Sequence, residues 1–353
     1  ISKDMPDLQS QLNEQKRKVD FNTYDMSLKE LVSMISDGII NISPDYQRQF
    51  RWGDDRQSRL VESLFLGIPV PSLFMATNSD GTWEVIDGVQ RLSTVVNFVS
   101  DIDTPEREKI GKATPLTLID LEKLTSFVGK KFKDLSLTLQ REFLLKPIKV
   151  ITLSDKSDKL VRFDLFERLN TGGIKLTDQE IRNCIFKGDF INFIKELSQK
   201  PDFVNTVKLN SQQKTDGTAE EFVLRFFACI YDKDAFEHSV KDFLNKYAEK
   251  ASRQFNYREA EQIFTETFAQ LNRLPHGLVK AAGKNSTSVV LFEAVAVGAA
   301  ETISKGSHEL NIETFYDWVS CPEFSRLITG ATNSKPKFVN RIKFCFDKFS
   351  SVR

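Results

Sequence analysis

The most concentrated chemistry in this chain is Asp87-Gly88-Val89-Gln90-Arg91, a polar run set between a strand-like and a helix-like segment. The start of an α-helix leaves several backbone N–H groups without intrahelical partners and carries the positive end of the dipole, so an anion is favoured there. Gly88 lets the main chain turn sharply and come close to a ligand. Arg91 offers a planar fork of donors suited to phosphate oxygens. Ser93 and Thr94, one turn along, add hydroxyl donors. Asp87, at the strand end, could hold a metal, orient a water, or bond a sugar or base. Taken alone, the same pattern is also that of a turn with a capping Asp and a surface Arg.

A second stretch, Ser43-Pro44-Asp45-Tyr46-Gln47-Arg48-Gln49-Phe50-Arg51-Trp52, sets Gln-Arg beside aromatic residues in extended, proline-led backbone. It could supply a second arginine, Arg48, across the same pocket. The alternative is a loop pinned by Tyr46 and Trp52, with Arg48 solvated.

These residues need elements to hold them. Ser27-Leu28-Lys29-Glu30 has the spacing of a capping box and opens a helix with Leu28, Leu31, Val32 and Ile35 on one face, ended by Gly38. Residues 39–42 read as a short strand, and 56–66 as an amphipathic helix stopped by Gly67. Pro69 and Pro71 force extended backbone into a strand over 72–77. Asn78-Ser79-Asp80-Gly81 then turns the chain into a second strand over 83–86, giving a hairpin. A helix over 89–99 follows the Asp87-Gly88 turn. Further on come a strand over 148–153, a helix over 159–169 and a glycine-bearing loop, Asn170-Thr171-Gly172-Gly173. A second capping box, Thr177 with Glu180, starts the next helix. Glu167 and Arg168 could face the pocket or form a solvated ion pair. From about residue 190 the strand signals stop and helical periodicity takes over. The expected organisation is a lead-in over 1–20, an α+β domain over 21–190 and an all-helical C-terminal domain over 191–353.

Composition narrows the function classes. The chain has 353 residues with 49 basic and 49 acidic side chains, a formal net charge of zero. A protein that holds duplex DNA mainly by charge carries a basic excess, so any DNA contact here must come from a local patch. Most of the 29 Phe sit at helix-like spacings and read as core rather than as a base-stacking surface. Cys184, Cys229, Cys321 and Cys345 are scattered without a CxxC pair, which suits neither a zinc site nor a disulfide framework and points to a reducing cytoplasm. No apolar run reaches the ~18 residues of a membrane span, and the apolar stretch 289–300 reads as a buried helix. The histidines, His238, His276 and His308, lack ligand spacing. No Walker A or GxSxG pattern is present.

The segments PDYQRQFRW, LVESLFLGIPVPSLF, EVIDGVQRLSTVVNF and FERLNTGGIKLTDQEIRN occur in the order found in the domain of unknown function 262 family. Over roughly residues 20–190 the chain resembles that family. It is similar to the GmrS part of the GmrSD type IV restriction enzymes, in the ParB/sulfiredoxin-like superfamily. The resemblance implies an α+β, ParB-like N-terminal domain, nucleotide binding or hydrolysis, and a role in defence against phage or modified DNA. The family's DGQQR motif falls on Asp87, Gly88, Val89, Gln90 and Arg91, with Val89 in place of the first Gln. Its YQR motif falls on Tyr46, Gln47 and Arg48, and its asparagine-glycine loop on Asn170, Gly172 and Gly173. Relatives that cut DNA append an HNH-type nuclease domain rich in His and Asn, which the three isolated histidines do not resemble.

Three readings follow. The first is an NTP-binding, NTP-hydrolysing sensor or regulator in a prokaryotic anti-phage or restriction-type system. In it, Arg48 and Arg91 grip phosphates, Gln90 completes the catalytic set, and Asp87 positions Mg²⁺ or the attacking water. The second is a ParB-like DNA endonuclease using the same pocket. The third is a non-enzymatic module that binds modified DNA or a partner protein. Expected partners are a nucleoside triphosphate, DNA through a local patch, a separately encoded nuclease or defence subunit, and a second copy of the chain, without a membrane.

Overall fold

The computed structural model describes residues 8–17, 20–42, 52–154, 157–169, 176–281, 283–306, 309–330 and 332–350. It divides into two units, Ile1–Lys175 and Leu176–Arg353. The first is α+β and the second is helical, as the sequence leads one to expect. The division falls ahead of residue 190 because the helix Asp178–Ile185, opened by Thr177, packs with helices that follow it.

The first unit runs α1 (Leu8–Arg17), β1 (Phe21–Ser27), α2 (Leu28–Ser36), β2 (Ile40–Asn41), α3 (Asp54–Leu66), β3 (Leu73–Thr77), β4 (Trp83–Asp87), α4 (Val89–Val99), α5 (Pro105–Ile110), α6 (Leu137–Leu144), β5 (Pro147–Leu153) and α7 (Lys159–Leu169). The strands form one mixed sheet in the order β1-β5-β3-β4-β2. β1 is antiparallel to β5 and β3 to β4, whereas β5 runs parallel to β3 and β2 parallel to β4. Alternation along the strands puts Met26, Leu73, Met75, Val85, Ile148 and Val150 on one face. Leu31 and Ile35 of α2, Leu64 and Phe65 of α3, Val96 and Phe98 of α4, and Phe143 of α6 close over that face. Each such side chain, fully buried, contributes about 1.5–3 kcal/mol. Tyr24 and Trp83, on strands separated by two others, bring their ring centroids within 5.5 Å. The sheet therefore curls around this core. α7 packs on β4 and buries Phe163 and Phe166 completely.

Local signals act where the sequence places them. Ser27 caps α2 by accepting from the Glu30 N–H at 3.2 Å. Thr177 and Glu180 make both halves of a capping box. The sequence missed β1, an edge strand whose residues Phe21 to Asp25 are exposed and carry no alternating pattern.

The second unit comprises α8 (Asp178–Ile185), α9 (Asp189–Ser198), α10 (Pro201–Thr206), α11 (Thr218–Asp232), α12 (Val240–Arg253), α13 (Tyr257–Leu271), α14 (Val289–Ser304), α15 (Phe315–Val319), α16 (Pro322–Leu327) and α17 (Lys335–Ser350). The Phe residues serve as core: Phe222 stacks on Phe292 at 4.6 Å, and Phe203, Phe264 and Phe268 adjoin them. α14, the apolar run foreseen as a buried helix, is almost wholly enclosed. Among the described residues no helix is long and apolar enough to cross a membrane.

A charged cluster threads this apolar unit. Arg182 of α8 meets Glu221 of α11 at 3.1 Å and donates to Asn245 of α12 at 2.7 Å. Glu221 also meets Arg225 at 2.8 Å, and Arg225 reaches Glu293 of α14 at 3.5 Å. Glu293 in turn binds Arg341 of α17, whose Nε lies 3.1 Å away. Cys229 and Cys345 are fully buried, and burial pushes both thiols well above the ordinary thiol range. All four cysteines are free.

Candidate functional site

The turn between β4 and α4 is built by a bulge and a glycine. Met75 pairs with Val85 but Phe74 pairs with Asp87, so Ile86 has no opposite number on β3. Unbroken alternation would send Asp87 to the same face as Val85, into the leucine-filled core. A bulge kinks the strand and re-aims the side chain that follows it, and Asp87 is partly solvent-exposed. Gly88 then adopts φ 106° and ψ 10°, a left-handed conformation, as the N-cap of α4. A Cβ on Gly88 would lie 2.3 Å from Leu73 Cδ2, so only glycine fits both the backbone and the space. Gly88, having no side chain, supplies no side-chain cap to α4.

Arg91 returns over this turn. Its Nη2 donates to Asp87 Oδ2 at 2.8 Å and to the Ser72 carbonyl at 3.2 Å. Its Nε is buried without a hydrogen-bond partner among the described residues. The guanidinium is thus fixed by the end of one strand and the start of another. Asp87 Oδ1 has no hydrogen bond among the described residues. Gln90 Oε1 accepts from the Trp52 N–H at 3.2 Å. Trp52 is the last residue of the PDYQRQFRW segment, so that segment ends against the DGVQR run. Arg56 lies over the Trp52 ring at 4.6 Å, which places another cation beside the junction.

Residues 28–187 match the family model described as GmrSD restriction endonuclease, N-terminal domain. This stretch is similar to a GmrSD-type N-terminal domain. No curated protein and no solved structure matches the chain.

Within this GmrSD-like stretch, the structure joins Asp87, Gly88, Gln90 and Arg91 in one corner. Ser93 and Thr94 are buried, and the Thr94 hydroxyl donates to the Gln90 carbonyl at 2.7 Å. Their hydroxyls are closed off from the solvent side of the turn. Val89 is half-buried and packs against the apolar core. Phe166 of the FERLN segment is buried, whereas Arg168 is exposed on α7. Tyr46, Gln47, Arg48, Asn170, Gly172 and Gly173 lie outside the described residues, as does His308. No group of three or more His, Cys, Asp or Glu gathers among the described residues.

A polar chain behind the corner escaped the sequence reading. The buried Gln57 donates to the Trp52 carbonyl at 2.9 Å and accepts from Asn97 at 2.8 Å. Arg107 donates to Asn97 Oδ1 at 3.0 Å. Trp52 is therefore gripped at its N–H by Gln90 and at its carbonyl by Gln57. On the same helix Ser58 accepts from the Ile119 N–H at 3.0 Å, and Glu62 accepts from the Lys123 and Leu124 N–H groups at 2.7 Å each. The one sequence signal for this chain was polar residues in helices whose remaining positions are apolar, which is equally the mark of a solvated face.

Proposed function

We propose that the chain is a nucleotide-binding sensor or regulator of a restriction-type defence system, taking a nucleoside triphosphate at the β4–α4 turn. The observation that carries this reading is the corner at the start of α4: a left-handed Gly88 follows a strand end, and Arg91 is fixed over the turn by Asp87 and the Ser72 carbonyl. Such a helix start suits phosphate oxygens. Arg91, already held by Asp87 and the Ser72 carbonyl, supplies positive charge without having to be ordered on binding. The Trp52–Gln90 bond anchors the end of the segment bearing Arg48 at this turn. Arg48 is assigned the second phosphate contact, with Tyr46 and Gln47 beside it. Asn170, Gly172 and Gly173, which follow α7 in the sequence, are assigned further contacts to the nucleotide.

Mg²⁺ suits this arrangement through one carboxylate oxygen. Asp87 Oδ2 is held by Arg91, which leaves Oδ1 for the ion, and triphosphate oxygens commonly complete such a shell. Bound there, the ion would neutralise phosphate charge. Val89, packed into the core where the resembled family carries a polar Gln, favours binding over rapid turnover.

Isothermal titration of the full chain with ATP, GTP, CTP and UTP, with and without Mg²⁺, tests this reading. At least one nucleotide is expected to bind, and Arg48→Ala is expected to weaken it by about tenfold to a hundredfold, the loss of a charge-assisted hydrogen bond. Arg91→Ala is read together with its melting curve, since Arg91 also braces the turn. Failure of all four nucleotides to bind, or wild-type affinity in Arg48→Ala, removes the reading. Incubation with plasmid DNA and Mg²⁺ in parallel reports whether the same corner cuts a phosphodiester.

A further inference from the structure

Apart from the nucleotide reading, the helical unit contains a cavity of about 490 Å³ where the end of α9, α10, the 207–217 connection and the start of α11 meet. Small-molecule sites span roughly 300–1,000 Å³. One wall is apolar, made by Phe203, Val204, Val207 and Leu209. Phe203 is buried and held by ring contacts to Phe264 and Phe268, with centroids at 5.7 and 5.1 Å. Val204 is 50% exposed, so the apolar wall runs out to the mouth.

The other wall carries charge. Lys208 and Lys214 both line the cavity, with Asn285 beside them. Lys208 Nζ donates to the Asn205 carbonyl at 2.7 Å, which fixes the ammonium without neutralising it. Neither lysine meets a carboxylate among the described residues, and Asn285 has no hydrogen-bond partner among them. Glu220 supplies one negative charge on the wall against the two lysines, so the lining is net positive.

We propose that this cavity binds a small anion with an apolar, ring-sized body. The ring lies on Phe203, Val207 and Leu209, and a carboxylate, sulfonate or phosphate sits between Lys208 and Lys214. An ammonium beside an apolar wall is less screened than one in open water, so pairing there gains more than at an ordinary surface. A neutral apolar ligand would leave both ammonium groups without an anion. A helical peptide needs a longer groove, with anchors spread over two turns.

Two probes of matched size, naphthalene-1-sulfonate and the neutral naphthalene-1-methanol, test the proposal by titration of the full chain. The sulfonate is expected to bind at one site, about tenfold to a hundredfold tighter than the alcohol, as expected for one charge-assisted contact. The double variant Lys208→Gln/Lys214→Gln, both partly or fully exposed positions, is expected to fold normally and to lose that preference. Val204→Asp, at the exposed mouth, is expected to weaken the sulfonate more than the alcohol. Equal binding of the two probes by the wild type, or an unchanged preference in the double variant, overturns the proposal.

Discussion

Glu293→Ala is expected to lower the unfolding free energy of the helical unit by about 3–5 kcal/mol, the cost of removing one member of a buried charged group. Glu293 is almost fully enclosed and is the acceptor shared by Arg341 and Arg225. Arg341 is equally enclosed, so the truncation leaves a guanidinium in a medium that solvates it poorly. Surface pairs contribute only about 0–1 kcal/mol, so the size of the loss distinguishes the two situations. Urea denaturation followed by circular dichroism measures it, and a loss under about 1 kcal/mol would show that the cluster is solvated. Replacing Glu293 and Arg341 together by Leu and Met should recover much of the loss, because no unpaired charge then remains.

The same cluster sets an acid limit. Burial acts most strongly on Glu221 and opposes its charge, but Arg225 and Arg182, with their hydrogen bonds, together outweigh it and hold the carboxyl below its ordinary value of 4.5. A carboxyl depressed on folding contributes stability that is complete above its unfolded value and is lost as pH falls through the folded one. The helical unit should therefore lose stability as pH is lowered below about 4.5, and Glu221→Gln should flatten that dependence.

Gly88→Ala is the second large effect. The substitution forces a Cβ into a left-handed backbone, at about 1–2 kcal/mol. It also drives that atom to 2.3 Å from Leu73 Cδ2 and 3.1 Å from Arg91 Nη2. Leu73 is fully buried in the sheet core, so displacing its side chain to relieve the overlap adds about 1–3 kcal/mol. Gly67→Ala is the matching control. Gly67 has φ 70° with nothing within 4 Å of a Cβ, so only the backbone term acts. The difference in melting midpoint between the two variants isolates the close approach at Gly88. Nucleotide binding should fall in Gly88→Ala beyond what its melting explains, because Arg91 is pushed aside. Equal midpoints for the two variants would mean that the turn relaxes freely.

Much of the frame around the corner was legible because its signals are local. The proline-led strand, the turn at Asn78 to Gly81 and the returning strand gave the β3–β4 hairpin, since turn chemistry acts within a few residues. The Gly88 punctuation gave the start of α4, and helical spacing in 159–169 gave α7. β1 was not legible: at the sheet edge, with most side chains exposed, it needs no alternating pattern. Ser93 and Thr94 were read as donors toward a ligand but are buried in α4. A hydroxyl that satisfies itself on the preceding turn, as Thr94 does on the Gln90 carbonyl, looks identical in sequence to one aimed at a phosphate.

Residue order alone marks where this chain bends, caps and changes from strands to helices, because those choices depend on backbone torsions and on partners three or four positions away. It also marks Asp87, Gly88 and Arg91 as a group, since they lie within one turn of each other. Contacts across tens of residues belong to the folded chain: Trp52 held between Gln90 and Gln57, Asn97 tied to Arg107, and five charges from four helices meeting inside an apolar unit. Each of those polar groups is tolerable in the interior only when its partner arrives, and which partner arrives is settled by packing rather than by neighbours in the chain.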